Sequence, residues 1–300
     1  MAGAMRERFV EVAGALLDEH PRLAVLTADL SAELFASARA RHPERVVNVG
    51  IREQLLISVA GGMSLGGMRP IAHSFAPFLV ERPFEQIKID LNHQGVGAVL
   101  VSAGASYDIA SGGRTHQAPA DVALLNTLGG WTIHVPGHAD EAETQLRRAA
   151  TGDDLAYVRL SNQSNARPFA DSERFTVLRG GRRGTVIAVG PLADAVLAAT
   201  ETLDVTVLYA ATVRPFDHQA VRHAVAQQEQ VAVAIAEPLL EGTSAPELAR
   251  LLAELPGRIL ALGVARDELR HYGTAAQHAI AHGLDAASMR RRLGTFFGPG

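Results

Sequence analysis

The chain has 300 residues, 47% hydrophobic and 20% charged, an ordinary globular composition at a length beyond the roughly 100–200 residues of one compact domain, so two domains are expected. Its 28 Lys and Arg against 32 Asp and Glu give a formal charge of −4, which leaves no electrostatic reason to expect nucleic acid or an anionic membrane as a partner. With no cysteine, disulfides, thiolate catalysis and zinc–sulfur sites are excluded.

The opening segment, MAGAMRERFVEVAGALLDEH, interleaves charges with apolar residues at helical spacing and lacks the uninterrupted apolar stretch of a signal peptide. No run approaches the roughly 18–20 apolar residues that span a bilayer, so a soluble, cytoplasmic protein is expected. Short β-branched runs then alternate with helical patterns. LAVLTAD, ending at Asp29, reads as a buried strand, followed by strands at Val46–Val49, Arg69–Ala72 and Val96–Ser102, with helices over Arg52–Met63 and Phe78–Leu91 between them. Trp131–Val135 is a further strand, Ala139–Ala150 a helix with acids in its first turn, and Tyr157–Leu160 a strand. Such alternation predicts a doubly wound, mainly parallel α/β sheet.

The polar stretch SNQSNARPFADSERF, residues 161–175, interrupts the pattern. It then restarts as strands at 185–190, 205–210, 231–237 and 258–264, with helices over Ala193–Thr200, after Asp217 and from Ala245. The expected organisation is two doubly wound α/β domains, 1–165 and 177–300, joined by a linker at 166–176. No internal repeat is visible, and the tail GTFFGPG is expected to fray.

The sharpest local signal is Asn48-Val49-Gly50-Ile51-Arg52-Glu53-Gln54 at a strand-to-helix junction, the edge of an open α/β sheet where ligands collect. On its own, Glu53 is as well explained by favourable interaction with a helix N-terminus. Downstream come His73-Ser74-Phe75-Ala76-Pro77-Phe78, then Glu81-Arg82-Pro83-Phe84-Glu85-Gln86-Ile87, and Gly112-Gly113-Arg114-Thr115-His116-Gln117-Ala118-Pro119-Ala120-Asp121. In isolation a phenylalanine pair is more often core and a lone histidine more often structural. Three such motifs in order, with Val213-Arg214-Pro215-Phe216-Asp217 and Ala236-Glu237 further on, resemble the transketolase family over about the whole chain.

That resemblance implies a pyrimidine-binding domain followed by a transketolase C-terminal-like domain, working with thiamine diphosphate (ThDP). Glu53 matches the glutamate that contacts the aminopyrimidine ring. A carboxyl sharing a proton with the ring nitrogen favours the imino tautomer, whose exocyclic nitrogen deprotonates the thiazolium carbon, and a water-poor environment raises a carboxyl pKa and aids such sharing. Phe75 and Phe78 match the ring slot, where stacking adds roughly 0.5–1.5 kcal/mol per aromatic pair. Asp29, at its strand end, is a further candidate for cofactor binding, and His116 matches a substrate-facing histidine.

The family's diphosphate motif, G-D-G…N-N, does not occur, and neither Gly112-Gly113 nor Gly180-Gly181 continues into the ligands a hard cation requires. No residue here is therefore expected to bind metal. The resemblance then implies a split enzyme in which an N-terminal, diphosphate-binding subunit holds Mg²⁺ (or Ca²⁺) and shares ThDP with this chain. An α₂β₂ assembly, with self-association through both domains, is the expected partnership.

On the substrate side, the family's three phosphate contacts align with Gly104, Glu33 and Asn162, and its sugar-reading acid with Gly112. Arg114 and Arg159 remain as anion partners, although Arg159 ends a predicted strand and has a structural reading too. The implied activity is transfer of a two-carbon or acyl unit on a non-standard small-molecule substrate, unphosphorylated ones included. The β subunit of a 2-oxo acid dehydrogenase decarboxylase and a non-catalytic subunit of the same fold are the alternatives.

Overall fold

The computed structural model describes residues 4–170, 173–228, 230–253 and 255–298. In chain order, α1 (Ala4–Glu19) leads to β1 (Leu23–Thr27), α2 (Ala36–Arg41), β2 (Val46–Asn48), α3 (Glu53–Leu65) and β3 (Arg69–Phe75). A composite helix follows, with α4 (Phe84–Gln86) between two π-type stretches, Pro77–Glu81 and Ile87–His93. Then come β4 (Val99–Ala103), α5 (Asp121–Leu125), β5 (Trp131–His134), α6 (Ala139–Thr151) and β6 (Leu155–Arg159). The second half runs β7 (Thr176–Arg179), β8 (Thr185–Val189), α7 (Ala193–Ala199), β9 (Thr206–Ala210), β10 (Thr212–Arg214), α8 (His218–Val225), β11 (Val231–Leu240), α9 (Ala245–Leu251), β12 (Gly257–Val264), α10 (Ala275–Ala281) and α11 (Ala286–Phe297).

Two sheets result, a seven-stranded one in the order β10-β5-β6-β4-β3-β1-β2 and a five-stranded one in the order β12-β11-β8-β9-β7. The fold is therefore two α/β layers with mostly parallel strands, each sheet carrying one antiparallel edge, β10 on β5 and β7 on β9. Strands β1, β4, β8 and β9 are buried at every position. Continuous apolar runs of that kind suit strands covered by helices on both faces.

The two halves are not independent. Thr212–Arg214, C-terminal to the first sheet's other strands, closes its edge by pairing with His134 and Ile133. One apolar cluster runs from Leu26, Leu56 and Leu100 through Ile133 and Val213 to Ile187 and Ile235. Burial of this shared core is the main stabilising term for both sheets.

Two expectations need adjustment. Phe78–Leu91 is not a single regular helix: Pro83, which lacks an N–H, sits in the break between wide turns. The tail is helical through Phe297, whose ring packs against Gly184, while the expected fraying at 299–300 lies outside the described residues. Within 161–175 the described residues form neither helix nor strand, and 171–172 also lie outside them. Among the described residues no helix is long and apolar enough to cross a membrane.

Candidate active site

Strands β1, β2, β3 and β4 are parallel neighbours, and the connection from β1 runs to one side of the sheet while that from β3 runs to the other. That reversal opens a crevice at the strands' carboxyl ends. Asp29 follows β1, Glu53 follows β2, Phe75 closes β3 with Phe78 after it, His116 lies in the long loop after β4, and Arg159 ends β6.

Asn48 builds the turn that delivers Glu53. Its Oδ1 accepts the N–H of Asp29 at 2.9 Å and of Gly50 at 3.1 Å, while its Nδ2 donates to Asp29 Oδ1 at 2.8 Å. Gly50, at φ +72°, takes the left-handed conformation that only glycine adopts without strain. The chain then enters α3 with Glu53 as its first residue, where the helix terminus favours an anion. Its side chain is 3% exposed, and Oε2 accepts a hydrogen bond from Arg82 Nη1 at 2.8 Å. A carboxylate withdrawn so far from water requires a partner of this kind. Asp29 itself is exposed and is committed to bracing this turn.

The aromatic candidates converge. Phe75 and Phe78 meet edge to face at 6.1 Å, and the His116 imidazole stands against both, 5.6 Å from Phe75 and 5.1 Å from Phe78. All three are half-buried. The Arg82 guanidinium lies over Phe78, 4.1 Å from the ring centroid, and so ties this cluster to Glu53. Gly112 has no side chain for a physical reason: a Cβ there would come 2.8 Å from His116 Cγ. Thr115 Oγ1 lies 3.0 Å from His116 Nδ1.

The loop bearing His116 is held from behind. Ala118 N–H bonds Ser106 O at 3.0 Å, closing the loop's base. Arg159 then donates to Ser106 Oγ at 2.9 Å, to Ala118 O at 3.2 Å and to Asp121 Oδ2 at 2.7 Å. The second sheet grips the same loop, since Pro238 O accepts from the Ser106 hydroxyl and Leu240 N–H bonds Pro119 O at 2.7 Å. Arg159 is 1% exposed and is committed to the foundations of this loop. Arg114 is exposed, and its Nε is bound by the Glu268 carboxylate at 3.2 and 3.3 Å.

Of the three positions aligned with phosphate contacts, Glu33 and Asn162 are exposed, while Gly104, at φ +71°, has Ile109 packed where a side chain would start. Asn162 N–H and the Ser161 hydroxyl both donate to the Asp108 carboxylate, at 2.8 and 2.9 Å. Burial pushes the Asp108 pKa up, and these hydrogen bonds oppose the shift. Burial also raises that of Glu81, with Asp121 adding to the effect and Arg114 opposing it. Among the described residues no group of three or more His, Asp or Glu side chains could hold a metal ion.

Arg82, Asp121 and Ser106 escaped the reading of the sequence as site residues. A signal existed for Arg82, four residues beyond Phe78 and thus on the same helical face. None existed for Ser106, whose role depends on a strand of the other sheet.

Residues 2–167 match the pyrimidine-binding domain of transketolase and residues 173–289 the transketolase C-terminal domain. An uncharacterized 33.6 kDa protein of the fasciation locus of Rhodococcoides fascians is 49% identical over 94% of this chain and 91% of its own. One of the subunits of the apulose-4-phosphate transketolase of Actinobacillus succinogenes is 29% identical over 96% of both chains. Among solved structures, a split-gene transketolase in an inactive β4 tetramer superimposes with a TM-score of 0.83 at 27% identity, covering 98% of each chain. The chain belongs to the transketolase family and carries that family's pyrimidine-binding and C-terminal domains.

Proposed function

We propose that this chain is the pyrimidine-binding subunit of a two-component, ThDP-dependent transketolase-like enzyme that transfers a two-carbon or acyl unit and acts only with a partner subunit. The observation that carries this is the junction of a buried carboxylate, Glu53, with the Phe75–Phe78–His116 cluster through a planar cation, Arg82. A buried acid beside a cluster of aromatic rings packed edge to face suits a flat, nitrogen-rich heterocycle, so the residues fit the aminopyrimidine of ThDP. When bound, ThDP would supply the acidic thiazolium carbon at which a donor's carbon–carbon bond is cleaved and remade. The protein's share is to hold a proton at the Glu53 carboxyl facing the ring nitrogen, to flank the ring with Phe75 and Phe78, and to offer the His116 imidazole to a donor hydroxyl or carbonyl.

The partner would hold the diphosphate and its Mg²⁺ (or Ca²⁺), with α₂β₂ as the working stoichiometry. The likeness to a relative that is itself one subunit of a transketolase, and to a split-gene β chain, supports that division. Acidic groups at Glu33 and Asp108, with Arg114 neutralised by Glu268, support a donor that carries no phosphate. Calorimetric titration tests the division: ThDP with Mg²⁺ should bind the mixture of this chain and a partner that carries the G-D-G…N-N motif, and bind this chain alone negligibly. Tight binding by the chain alone would overturn the two-component reading.

A further inference from the structure

The contact joining Glu53, Arg82 and Phe78 has the shape of a ligand complex. A guanidinium is flat, delocalised and cationic, and it donates N–H bonds in its own plane. Arg82 presents such a group to the face of Phe78 at 4.1 Å, and its Nη1–H meets Glu53 Oε2 at 2.8 Å. A protonated aminopyrimidine is likewise flat and cationic, with an N–H in the ring plane and an aromatic neighbour to stack on. Arg82 thus makes, within its own chain, both contacts that the proposed function gives to the cofactor ring. If the ring takes the same face of Phe78 and the same oxygen of Glu53, the two occupants exclude each other.

We propose that Arg82 is an internal placeholder for the aminopyrimidine: it neutralises Glu53 and covers Phe78 in the free subunit, and it leaves both when the ring enters. The inference rests on the reading of Glu53 and Phe78 as ring contacts. Arg82 can move without stranding a buried cation, because its side chain is 40% exposed and reaches bulk water by rotation of its stem. Glu53 cannot, being 3% exposed, so whatever displaces Arg82 must replace its hydrogen bond. Placeholder and ring therefore compete, and the affinity for the ring falls by the fraction of time the pair stands open. A subunit so built tolerates a buried carboxylate before it meets cofactor and partner, and it discriminates against ligands that stack without donating to Glu53.

The test uses the isolated chain and 4-amino-5-hydroxymethyl-2-methylpyrimidine, the cofactor's ring without thiazolium or diphosphate, titrated by ligand-observed NMR. Arg82→Met removes the guanidinium and keeps an apolar stem. If the pair is closed about 90% of the time or more, it should bind the ring about tenfold or more tighter than the unaltered chain. Arg82→Gln retains a neutral donor for Glu53 and should give a smaller gain in the same direction, which covers the case that Arg82→Met fails to fold. Adding Glu53→Gln to either variant should abolish the gain. Equal affinity with and without Arg82, still lost on Glu53→Gln, overturns the placeholder and leaves the ring site standing. Binding indifferent to both residues overturns the placeholder and the ring site together.

Discussion

Arg159 Nε donates to Asp121 Oδ2 over 2.7 Å with both side chains out of water. Tyr157 donates to the same carboxylate oxygen at 2.7 Å, and the Arg159 Nη2 reaches Ser106 and Ala118 at the base of the His116 loop. Burial disfavours the Arg159 charge, yet Asp121 and Tyr157 outweigh it and raise the guanidinium pKa. Removing one member of such a pair strands the other. Arg159→Met should therefore cost about 3–5 kcal/mol in urea unfolding of the isolated chain, and adding Asp121→Asn should restore part of it. A loss below about 1 kcal/mol would place the pair among those that contribute little.

Glu53→Gln is nearly isosteric, and its amide still offers an oxygen to Arg82 in place of the carboxylate's Oε2. Assembly with the partner should be nearly unchanged. An amide cannot take up and return a proton, so hydrogen–deuterium exchange at the thiazolium carbon in the reconstituted complex should slow by orders of magnitude. An unaltered exchange rate would assign activation to another group.

Stability should depend on pH in two opposing ways. Burial lowers the pKa of His73 and of His134 from 6.5 to about 4, so the unfolded chain takes up protons that the folded chain refuses, and stability falls as pH drops from 6.5 toward 4. Glu237 is displaced the other way: burial raises its pKa from 4.5 to about 7, with Ser244 and Arg214 opposing. The folded state holds that proton, so its contribution is complete below pH 4.5 and is lost as pH rises through 7. Glu237 Oε1 accepts the Ser244 N–H at 3.1 Å while Oε2 has no partner. Glu237→Gln keeps the acceptor and removes the ionisation. It should gain on the parent as pH rises from 4.5 to 7, by up to about 3 kcal/mol, and hold that advantage above. Guanidinium denaturation at about pH 5 and about pH 7.5 measures the difference, and parallel curves would refute it.

How much of this was legible beforehand follows from what each feature depends on. The buried run Leu23–Thr27 announced a strand because a parallel strand is apolar on both faces, and Glu53 announced itself because the turn at Asn48 and Gly50 is local. Strand β10 was not legible: three residues, Thr212–Arg214, join a sheet whose other strands lie far away in sequence. The structural reading of Arg159 was only half legible for a related reason. Its place at the end of β6 was visible, but its partners Asp121, Ser106 and Ala118 converge only through the fold.

A sugar phosphate needs cationic or N–H groups near its phosphate, yet Gly104 has Ile109 packed where a side chain would begin, and Glu33 is an exposed acid. Asn162 turns its backbone N–H to Asp108, whose carboxylate also takes the hydroxyl of Ser161 and an N–H of Gln163. Of the two candidate anion partners, Arg114 is engaged by Glu268 and Arg159 is buried against Asp121. Each charge-assisted contact with a phosphate is worth roughly 1.5–3 kcal/mol, so lacking several should lower the apparent affinity by orders of magnitude. For the assembled enzyme, kcat/KM on xylulose 5-phosphate should therefore fall well below that on an unphosphorylated ketose or a 2-oxo acid donor. Glu268→Gln, which releases Arg114 at an exposed position, should narrow the gap by raising efficiency on the phosphorylated sugar alone. A strong preference of the unaltered enzyme for the phosphate would return this subunit to ordinary ketose-phosphate chemistry.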